Sequence, residues 1–499
     1  MATPVSVPGD GPQSTVPREA SASGTENIAG GLAANRQSGS ASGWMSEGTG
    51  RWPRVLAILE RLGGSAIPSS IGGALAHGAV RSLAVNVAGT AVSFAVQVLL
   101  ARKLGASDYG VYLYVLAWMN MAVLFAKIEL DSCAVRFVGA YRATQNWSAL
   151  RGFLVFSTRL VTVASLILSA VAAVLLWVLR SRIEQHRAAA LLAACALVTI
   201  GVLIAHGAGI LQGFRRVVAS QTPSLLVRPI LLGIAVLTWA SLSHRPLNAT
   251  VAISLNTVTS AVTLILVVVL VWRAVPVPAR REASSFERRE WMHAAFGILG
   301  VSTAETVLST KADLIVIGTV LATRDASLYG AASQLASFVS FGVVAVTFVA
   351  VPMIAELHAA RRHAELQRLV SFVGMGSAVV SIPIVVALVV IGRPLLRLYG
   401  AEFADAYWVL LTLSVGQTVQ ALFGARAGFL LTMTGHQKLA AYIVGATATF
   451  NVLLTILLTS RYGMIGAATA TTIAYLGRNV LLAYFIKARV GVSLLWVRS

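Results

Sequence analysis

The sequence is poor in charged residues, which make up only 12% of its 499 residues. Soluble chains carry roughly twice that share, because a globular surface must be polar. Apolar residues reach 57%, and the mean hydropathy is +0.78. Long apolar runs recur along nearly the whole chain, and each is long enough to cross a bilayer. The composition excludes a cytosolic enzyme and indicates a polytopic membrane protein.

Cysteine is almost absent, since Cys133 and Cys195 are the only two and lie far apart. Neither belongs to a CxxC pair or a Cys/His cluster, so the sequence predicts no disulfide framework and no metal site. The signatures of soluble active sites are also missing: the chain has no phosphate-loop, HExxH, GxSxG or GxGxxG motif. We therefore expect a protein that is not an enzyme, holds no cofactor and does not hydrolyse ATP.

Twelve apolar segments are long enough to cross about 30 Å of hydrocarbon at 1.5 Å per residue. They cover residues 82–101, 109–127, 153–178, 189–211, 222–243, 248–272, 293–319, 327–352, 370–392, 404–432, 438–460 and 464–487. The sequence thus predicts an all-α polytopic membrane protein of about twelve transmembrane helices, with both termini on one side.

The chain outside these segments sets the domain boundaries. A stretch rich in Ser, Gly, Ala, Thr and Pro begins the chain and predicts disorder, and the amphipathic stretch after it is either an interfacial helix or an ordinary linker. The predicted parts are a disordered cytoplasmic tail (1–50), an interfacial segment and linker (51–79), a six-helix bundle (80–273), a basic cytoplasmic loop (274–292), a second six-helix bundle (293–490) and a cytoplasmic tail (491–499).

Lys and Arg outnumber Asp and Glu by 39 to 19, and the positions of these residues give the topology. The odd-numbered connections between segments hold ten Lys or Arg residues, whereas the even-numbered connections and the tails hold twenty-four. The positive-inside rule then places both termini and the central loop in the cytoplasm. Topology and anionic membrane lipids account for the positive charge, so we expect no nucleic-acid partner.

The two halves carry a weak internal repeat. Asp108 and Tyr112 follow the first segment, and Asp325 and Tyr329 follow the seventh at a common offset of 217 residues. Because six segments is an even number, the two halves have the same orientation and are related by an axis along the membrane normal. This parallel arrangement predicts a transporter with its site between the halves.

Away from the segment ends, seven charges fall inside apolar segments, where each costs roughly 3 kcal/mol unless it is paired or faces a wet cavity. They are Arg159, Arg228, Glu305, Lys311, Asp313, Arg426 and Arg478. Arg159, Arg228 and Arg426 lie near cytoplasmic segment ends, where they either anchor the helix by snorkelling or face a cavity. Arg478 lies too deep for snorkelling. We predict that the four arginines form a cationic substrate-binding cavity, which suits a diphosphate.

The seventh segment carries a polar stripe, because Ser302, Glu305, Ser309 and Asp313 fall within about 80° on a helix, with Lys311 elsewhere. Two interpretations stay open. The stripe forms an ion pair with an arginine of the other half, or Glu305 or Asp313 binds the proton or sodium ion that couples ion flow to transport.

Both halves carry stretches that resemble one known family. They are Leu100-Ala-Arg-Lys-Leu-Gly105-Ala-Ser-Asp-Tyr-Gly110-Val-Tyr112, Leu130-Asp131, Arg136-Phe137, Lys311-Ala-Asp313-Leu-Ile-Val-Ile-Gly318, Leu328-Tyr329-Gly-Ala-Ala, Pro352-Met-Ile-Ala-Glu356-Leu and Glu365-Leu366-Gln. The sequence resembles the polysaccharide transporter, or O-antigen-type lipid-linked oligosaccharide flippase, family of the multidrug/oligosaccharidyl-lipid/polysaccharide (MOP) flippase superfamily.

The resemblance implies a MATE-like fold of two six-helix bundles around a central cavity. It also implies a flippase that moves a polyprenyl-diphosphate-linked glycan across the bacterial cytoplasmic membrane for cell-surface polysaccharide biosynthesis, with other polysaccharide assembly proteins as partners. Two alternatives stay open. A multidrug/cation antiporter would have an acidic and aromatic cavity, and a glycan polymerase or ligase usually needs a large outer domain, whereas the longest outward connection here spans only residues 392–403.

The predicted topology can be tested by cysteine-accessibility labelling in a variant without Cys133 and Cys195. A cysteine introduced between Ala279 and Glu290 should react with an impermeant reagent only after the cytoplasmic face is opened, because this loop carries the basic residues that favour that side. Strong labelling from outside intact cells would invert the topology.

Overall fold

The computed structural model describes residues 69–490, apart from residues 183–184, 244–245, 309, 341–361, 425–426, 428–429 and 431–436. The predicted tails 1–50 and 491–499 lie outside the described residues, as does most of the predicted interfacial segment 51–79. All regular secondary structure in the part that is described is helical.

Fourteen α-helices follow one another in the described ranges. They are α1 (Ser69–Lys127), α2 (Leu130–Ala143), α3 (Trp147–Val178), α4 (Gln185–Gly213), α5 (Val217–Thr222), α6 (Arg228–Leu242), α7 (Ala249–Ala274), α8 (Val277–Arg281), α9 (Arg288–Val307), α10 (Thr310–Val320), α11 (Thr323–Ser337), α12 (His363–Arg397), α13 (Tyr407–Val419) and α14 (Gln437–Val490). A π-helical turn, Pro223–Val227, joins α5 to α6.

Eight helical stretches of the described residues are long and apolar enough to cross a membrane. The two longest lie in α1 and α14 and hold two crossings each, because the chain reverses at Gly105 and Gly463. Both glycines have positive φ angles, 72° and 61°, which glycine adopts without steric penalty. The Tyr109 hydroxyl donates to Gln97 Oε1 at 3.4 Å, although a continuous helix would separate these two residues by about 18 Å.

The remaining crossings come from the middle of the chain. Helices α9 and α10 together form the seventh crossing, and α11 begins the eighth. The sequence predicts one continuous helix over 293–319, whereas α9 ends at Val307 and α10 begins at Thr310. The prediction of an all-α membrane protein with about twelve crossings is confirmed.

Several helices carry large apolar side chains on their outer surface rather than only in a core. On α3, for example, Val163, Leu166, Ile167 and Val174 are all more than half exposed. Such a surface is stable only against lipid, in which the helices also satisfy their own backbone hydrogen bonds. Side-chain caps begin two of these helices: Asn146 accepts from the backbone N–H of Ala149 at the start of α3, and Asn248 accepts from that of Val251 at the start of α7.

The two halves pack tightly at one end of the bundle, the Gly105 end, which carries Gly105 and Thr323. A methyl group on Gly110 of α1 would collide with the backbone carbonyl of Thr323, the first residue of α11. The Phe94 ring packs edge-on against Phe338 at 5.6 Å. Because Gly110 and Phe94 belong to the first half and their partners to the second, the halves form a continuous seal here.

At the opposite end, the Arg288 end, the start of α9 packs on the first half. Trp291 is fully buried, with its ring 5.3 Å from that of Phe153 on α3. Its Nε1 donates to the Tyr141 hydroxyl on α2 at 2.9 Å, and that hydroxyl donates to Glu287 Oε2 at 2.6 Å. The seventh crossing therefore begins against the first half and reaches the second half further along.

Candidate functional site

Glu305 of α9 and Arg478 of α14 form an ion pair inside the membrane region. Arg478 Nη1 lies 3.0 Å from Glu305 Oε2. The arginine side chain is 3% exposed, whereas that of the glutamate is 51% exposed. Arg478 Nε is buried without a hydrogen-bond partner in the described structure. Both residues belong to the second half, so this carboxylate pairs within its own half rather than with an arginine of the other half.

Asp313 is buried near the start of α10, where it is 1% exposed. Its Oδ2 accepts hydrogen bonds from Tyr329 at 2.5 Å and Thr471 at 2.6 Å, and its Oδ1 accepts one from Thr455 at 3.4 Å. The Asn451 amide lies beside the Asp313 carboxylate. Oxygen-rich sites of this kind suit a proton or a hard cation.

Arg228 lies in the first half, where the π-helical turn meets α6. Its Nε and Nη2 donate to Asn256 Oδ1 at 3.3 and 3.2 Å, and Asn256 Nδ2 donates to the Tyr112 hydroxyl at 3.3 Å. The guanidinium lines a cavity of about 220 Å³ formed by α1, α6, α7 and the π-helical turn. None of the described carboxylates pairs with the Arg228 guanidinium.

The repeat places two tyrosines in comparable polar clusters. Tyr112 and Tyr329, which are 217 residues apart, are both buried. The first contacts the amide that holds Arg228, and the second contacts the Asp313 carboxylate. The two halves thus bury charges of opposite sign beside the repeated tyrosine.

The remaining predicted site residues are Arg159, Lys311, Ser309 and Arg426. Arg159 is exposed on α3, and Lys311 lies on α10 with its side chain outside the described set. Ser309 and Arg426 also lie outside the described residues. The cavity at Arg228 includes neither Arg159 nor Arg478 among its lining residues, so the structure does not bring these three arginines together there.

A polar chamber of about 450 Å³, the interhalf chamber, lies between α1, α2 and α4 of the first half and α9 of the second. Its polar lining includes Asn120, Lys127, Glu129, Ser132, Ser302 and Glu305. Its charged lining residues are one lysine and two glutamates, and no arginine lines it. The chamber is therefore hydrogen-bonding rather than strongly cationic.

The lysine of this chamber belongs to an ionic cluster at a break between two helices. Lys127 Nζ lies 2.6 Å from Glu129 Oε1 and 2.9 Å from Asp131 Oδ2. Ile128 and Glu129 have φ angles of 50° and 55°, in the left-handed region that a β-branched residue rarely adopts. Strained backbone of this kind persists only where the surrounding contacts hold it, often at functional sites.

Comparison with known proteins identifies the family of this chain. Residues 75–358 match the profile of the family described as polysaccharide biosynthesis protein. This match covers more than half of the chain. The chain belongs to this family.

A relative in sequence agrees with that membership, and solved structures of MOP superfamily transporters share the fold. Over 424 residues, which cover 84% of this chain and 85% of the relative, the chain is 21% identical to the "probable low-salt glycan biosynthesis flippase Agl15" of Haloferax volcanii. Its fold is similar to that of an inward-facing multidrug resistance MATE family transporter (TM-score 0.62, 13% identity, 82% of this chain and 98% of that chain). It is equally similar to the lipid II flippase MurJ in an inward closed conformation (TM-score 0.62, 15% identity, 82% and 87%).

The sequence did not point to every residue of this site. Lys127 and Glu129 stand at the end of an apolar segment, where charged residues are expected in any connection between helices. The ionic cluster was therefore not predicted. A signal was present, because one lysine and two carboxylates lie at alternate positions within five residues. Asn256 and Asn451 were missed because a neutral amide gives no charge signal in an apolar helix.

The unequal burial of the Glu305–Arg478 pair predicts unequal effects of removing each partner. Glu305→Gln leaves a guanidinium that is 3% exposed without its partner, and breaking a buried pair in this way costs roughly 3 kcal/mol. Arg478→Gln leaves a carboxylate that is half exposed, so the loss should be clearly smaller. Thermal unfolding of the purified variants in detergent measures both.

The double variant Glu305→Gln/Arg478→Gln should recover part of the loss, because neither charge then remains. Glu402→Gln is a matched control, since Glu402 pairs with Arg324 at 42% and 47% exposure and such pairs contribute at most about 1 kcal/mol. A larger loss for Arg478→Gln than for Glu305→Gln would contradict this account of the pair.

Proposed function

We propose that this polysaccharide biosynthesis protein is a flippase for a polyprenyl-diphosphate-linked oligosaccharide. The observation that carries the proposal is the interhalf chamber, a polar space between two halves that pack tightly against each other at the Gly105 end. A glycan needs such a polar path across the hydrocarbon layer. The family match and the glycan flippase relative support a lipid-linked glycan as the substrate, and the reaction requires movement without covalent chemistry.

The proposed location is the bacterial cytoplasmic membrane, with both termini and the Arg288 end in the cytoplasm. The charge distribution of the connections supports this orientation. The interhalf chamber then belongs to a state closed towards the outside, and outward release requires the two halves to rock apart at the Gly105 end. Anionic lipids and other polysaccharide assembly proteins are the proposed partners.

The Glu305–Arg478 pair is proposed as part of the transport mechanism. Glu305 faces the interhalf chamber, whereas Arg478 is buried behind it. Separating this pair would expose a guanidinium, which binds phosphate oxygens through paired N–H donors. Arg478 and the predicted arginines Arg228, Arg159 and Arg426 would then contribute to a cationic cavity in another state of the cycle.

Asp313 is proposed as the group that binds the coupling cation, a proton or a sodium ion. A buried carboxylate surrounded by hydroxyl and amide oxygens supports this role, and no described lysine or arginine pairs with it. Cation binding would remove the cost of a lone buried charge. An ion gradient would therefore favour the conformation in which Asp313 holds the cation.

A multidrug/cation antiporter is the second candidate, because the half-exposed Glu305 lines the interhalf chamber together with the buried Glu129. Acidic groups attract organic cations. The family match favours glycan transport instead, and one reconstituted system can test both substrates.

Proteoliposomes that contain the purified protein and a labelled lipid-linked oligosaccharide test the flippase proposal. Vesicles that contain the protein should make the oligosaccharide accessible to an impermeant glycosidase on the opposite side much faster than empty vesicles do. An ion gradient across the vesicle membrane should alter this rate. Asp313→Asn should slow transport at least tenfold, which corresponds to about 1.4 kcal/mol in activation free energy, and should abolish the gradient dependence.

Asp405→Asn is the matched control, because Asp405 is 68% exposed and pairs only with Arg324 in the described structure. This variant should transport at the normal rate. Uptake of an organic cation with no movement of the glycan lipid would replace the flippase proposal by the antiporter. Unchanged gradient dependence in Asp313→Asn would exclude the coupling role.

A further inference from the structure

A third cavity, of about 730 Å³, lies at the Arg288 end between α2 and the start of α9. We name it the basic mouth. Its lining includes Arg136, Phe286, Glu287, Arg288, Arg289 and His293. Three guanidinium groups thus line one cavity, although Arg136 lies about 150 positions before Arg288 and Arg289 in the sequence.

The arginines of the basic mouth are available for a ligand. None of the three has a carboxylate or hydrogen-bond partner in the described part of the chain. Arg288 lies over the Phe286 ring at 5.2 Å, and Arg136 lies over the Phe137 ring at 5.3 Å. Stacking of this kind holds a guanidinium in place while its N–H edges stay free for oxygen acceptors.

One of the two glutamates in the lining already has a hydrogen-bond partner. Glu287 Oε2 accepts a hydrogen bond from the Tyr141 hydroxyl at 2.6 Å. Burial, with the hydrogen bond to Glu287 as the next cause, raises the pKa of Tyr141 to about 12, so the phenol stays protonated and donates. Glu290 is the other carboxylate in the lining, and three arginines against two carboxylates leave the mouth positive.

The depth of the basic mouth matches lipid headgroups. Arg288 and Arg289 stand four to five residues before the apolar stretch that begins at residue 293, which is a rise of about 6–8 Å. The headgroup layer on each side of the hydrocarbon has about the same thickness. A phosphate that a lipid holds at this depth meets the arginines without leaving the interface.

The basic mouth and the interhalf chamber follow the same pair of helices. Arg136 of the mouth is four residues from Ser132 of the chamber on α2, about 6 Å along the axis. His293 of the mouth is nine residues from Ser302 of the chamber on α9, about 14 Å along the axis. A ligand anchored at the mouth can therefore extend into the chamber.

We propose that the basic mouth binds the diphosphate of the lipid-linked substrate at the cytoplasmic interface, while its glycan enters the interhalf chamber. This inference rests on the proposed function and adds the docking site. It follows from the order of the substrate, in which the diphosphate joins a lipid chain to a polar glycan. The hydroxyl, amide and carboxylate groups of the chamber suit sugar hydroxyls, and the guanidinium groups of the mouth suit phosphate oxygens.

Equilibrium binding of a radiolabelled polyprenyl diphosphate to the full chain in phosphatidylcholine nanodiscs tests this site. Arg136→Gln/Arg289→Gln should raise the Kd about tenfold or more, because two charge-assisted contacts are lost. Arg136→Lys/Arg289→Lys should fall between this variant and the unmodified chain, since lysine keeps the charge but loses the planar donors.

The control is Arg216→Gln/Arg281→Gln, which removes two exposed charges from the same end of the molecule but from outside the mouth. It should leave the Kd within about twofold, as the loss of distant exposed charges is screened by salt. Equal losses in the two variants, or no loss in either, would overturn the site, and thermal unfolding must show that all variants are folded.

Competition separates the sources of phosphate. Neither tenfold excess phosphatidylglycerol nor the same concentration of inorganic diphosphate should displace the labelled lipid. Full displacement by phosphatidylglycerol would mean a general anionic-lipid site, and full displacement by inorganic diphosphate would mean a soluble-anion site, and either result overturns the proposal. Because binding is measured without transport, a chain that binds through these arginines but does not flip glycans would contradict the proposed function alone.

Discussion

The contact between Gly110 and the Thr323 carbonyl is the constraint on which the rest of the structure depends. It brings α1 against the start of α11 more closely than any side chain would allow. The two halves consequently meet along the Gly105 end, and Tyr109 packs there against Tyr399 and Phe403. With that end sealed, the polar groups between the halves are arranged along α2 and α9 towards the Arg288 end.

The cost of charge in hydrocarbon explains the arrangement of the polar residues. Arg478 is paired with Glu305, Asp313 is surrounded by hydroxyl groups, and Arg228 is held by an asparagine. Each solution is local to one half. The halves can therefore move relative to each other without separating the groups around Asp313 and Arg228, as a transporter that rocks between two states requires. The proposed opening of the Glu305–Arg478 pair is a rearrangement within the second half.

Much of the fold could be predicted from hydropathy and charge, because a bilayer allows little besides helices of a minimum length. The twelve crossings and the depth of Arg478 follow from that constraint. The partner of Arg478 could not be predicted across the chain, since helical periodicity gives the face of a residue but not the neighbouring helix. For the same reason, the sequence predicts that the four arginines share one cavity, whereas the interhalf chamber contains no arginine. The basic mouth was not predicted, because the charge census assigns its arginines to cytoplasmic connections, where they set the topology.

In the proposed mechanism, the two halves separate at the Gly105 end when the substrate crosses. Gln97 Nε2 donates to Gln334 Oε1 across this seal at 3.4 Å, so cysteines at these positions can be joined by a short, reducible thiol crosslinker in a variant that lacks Cys133 and Cys195. The account predicts that crosslinking stops movement of the lipid-linked oligosaccharide in proteoliposomes and that reduction restores it. Transport at the full rate by the crosslinked protein would contradict the account.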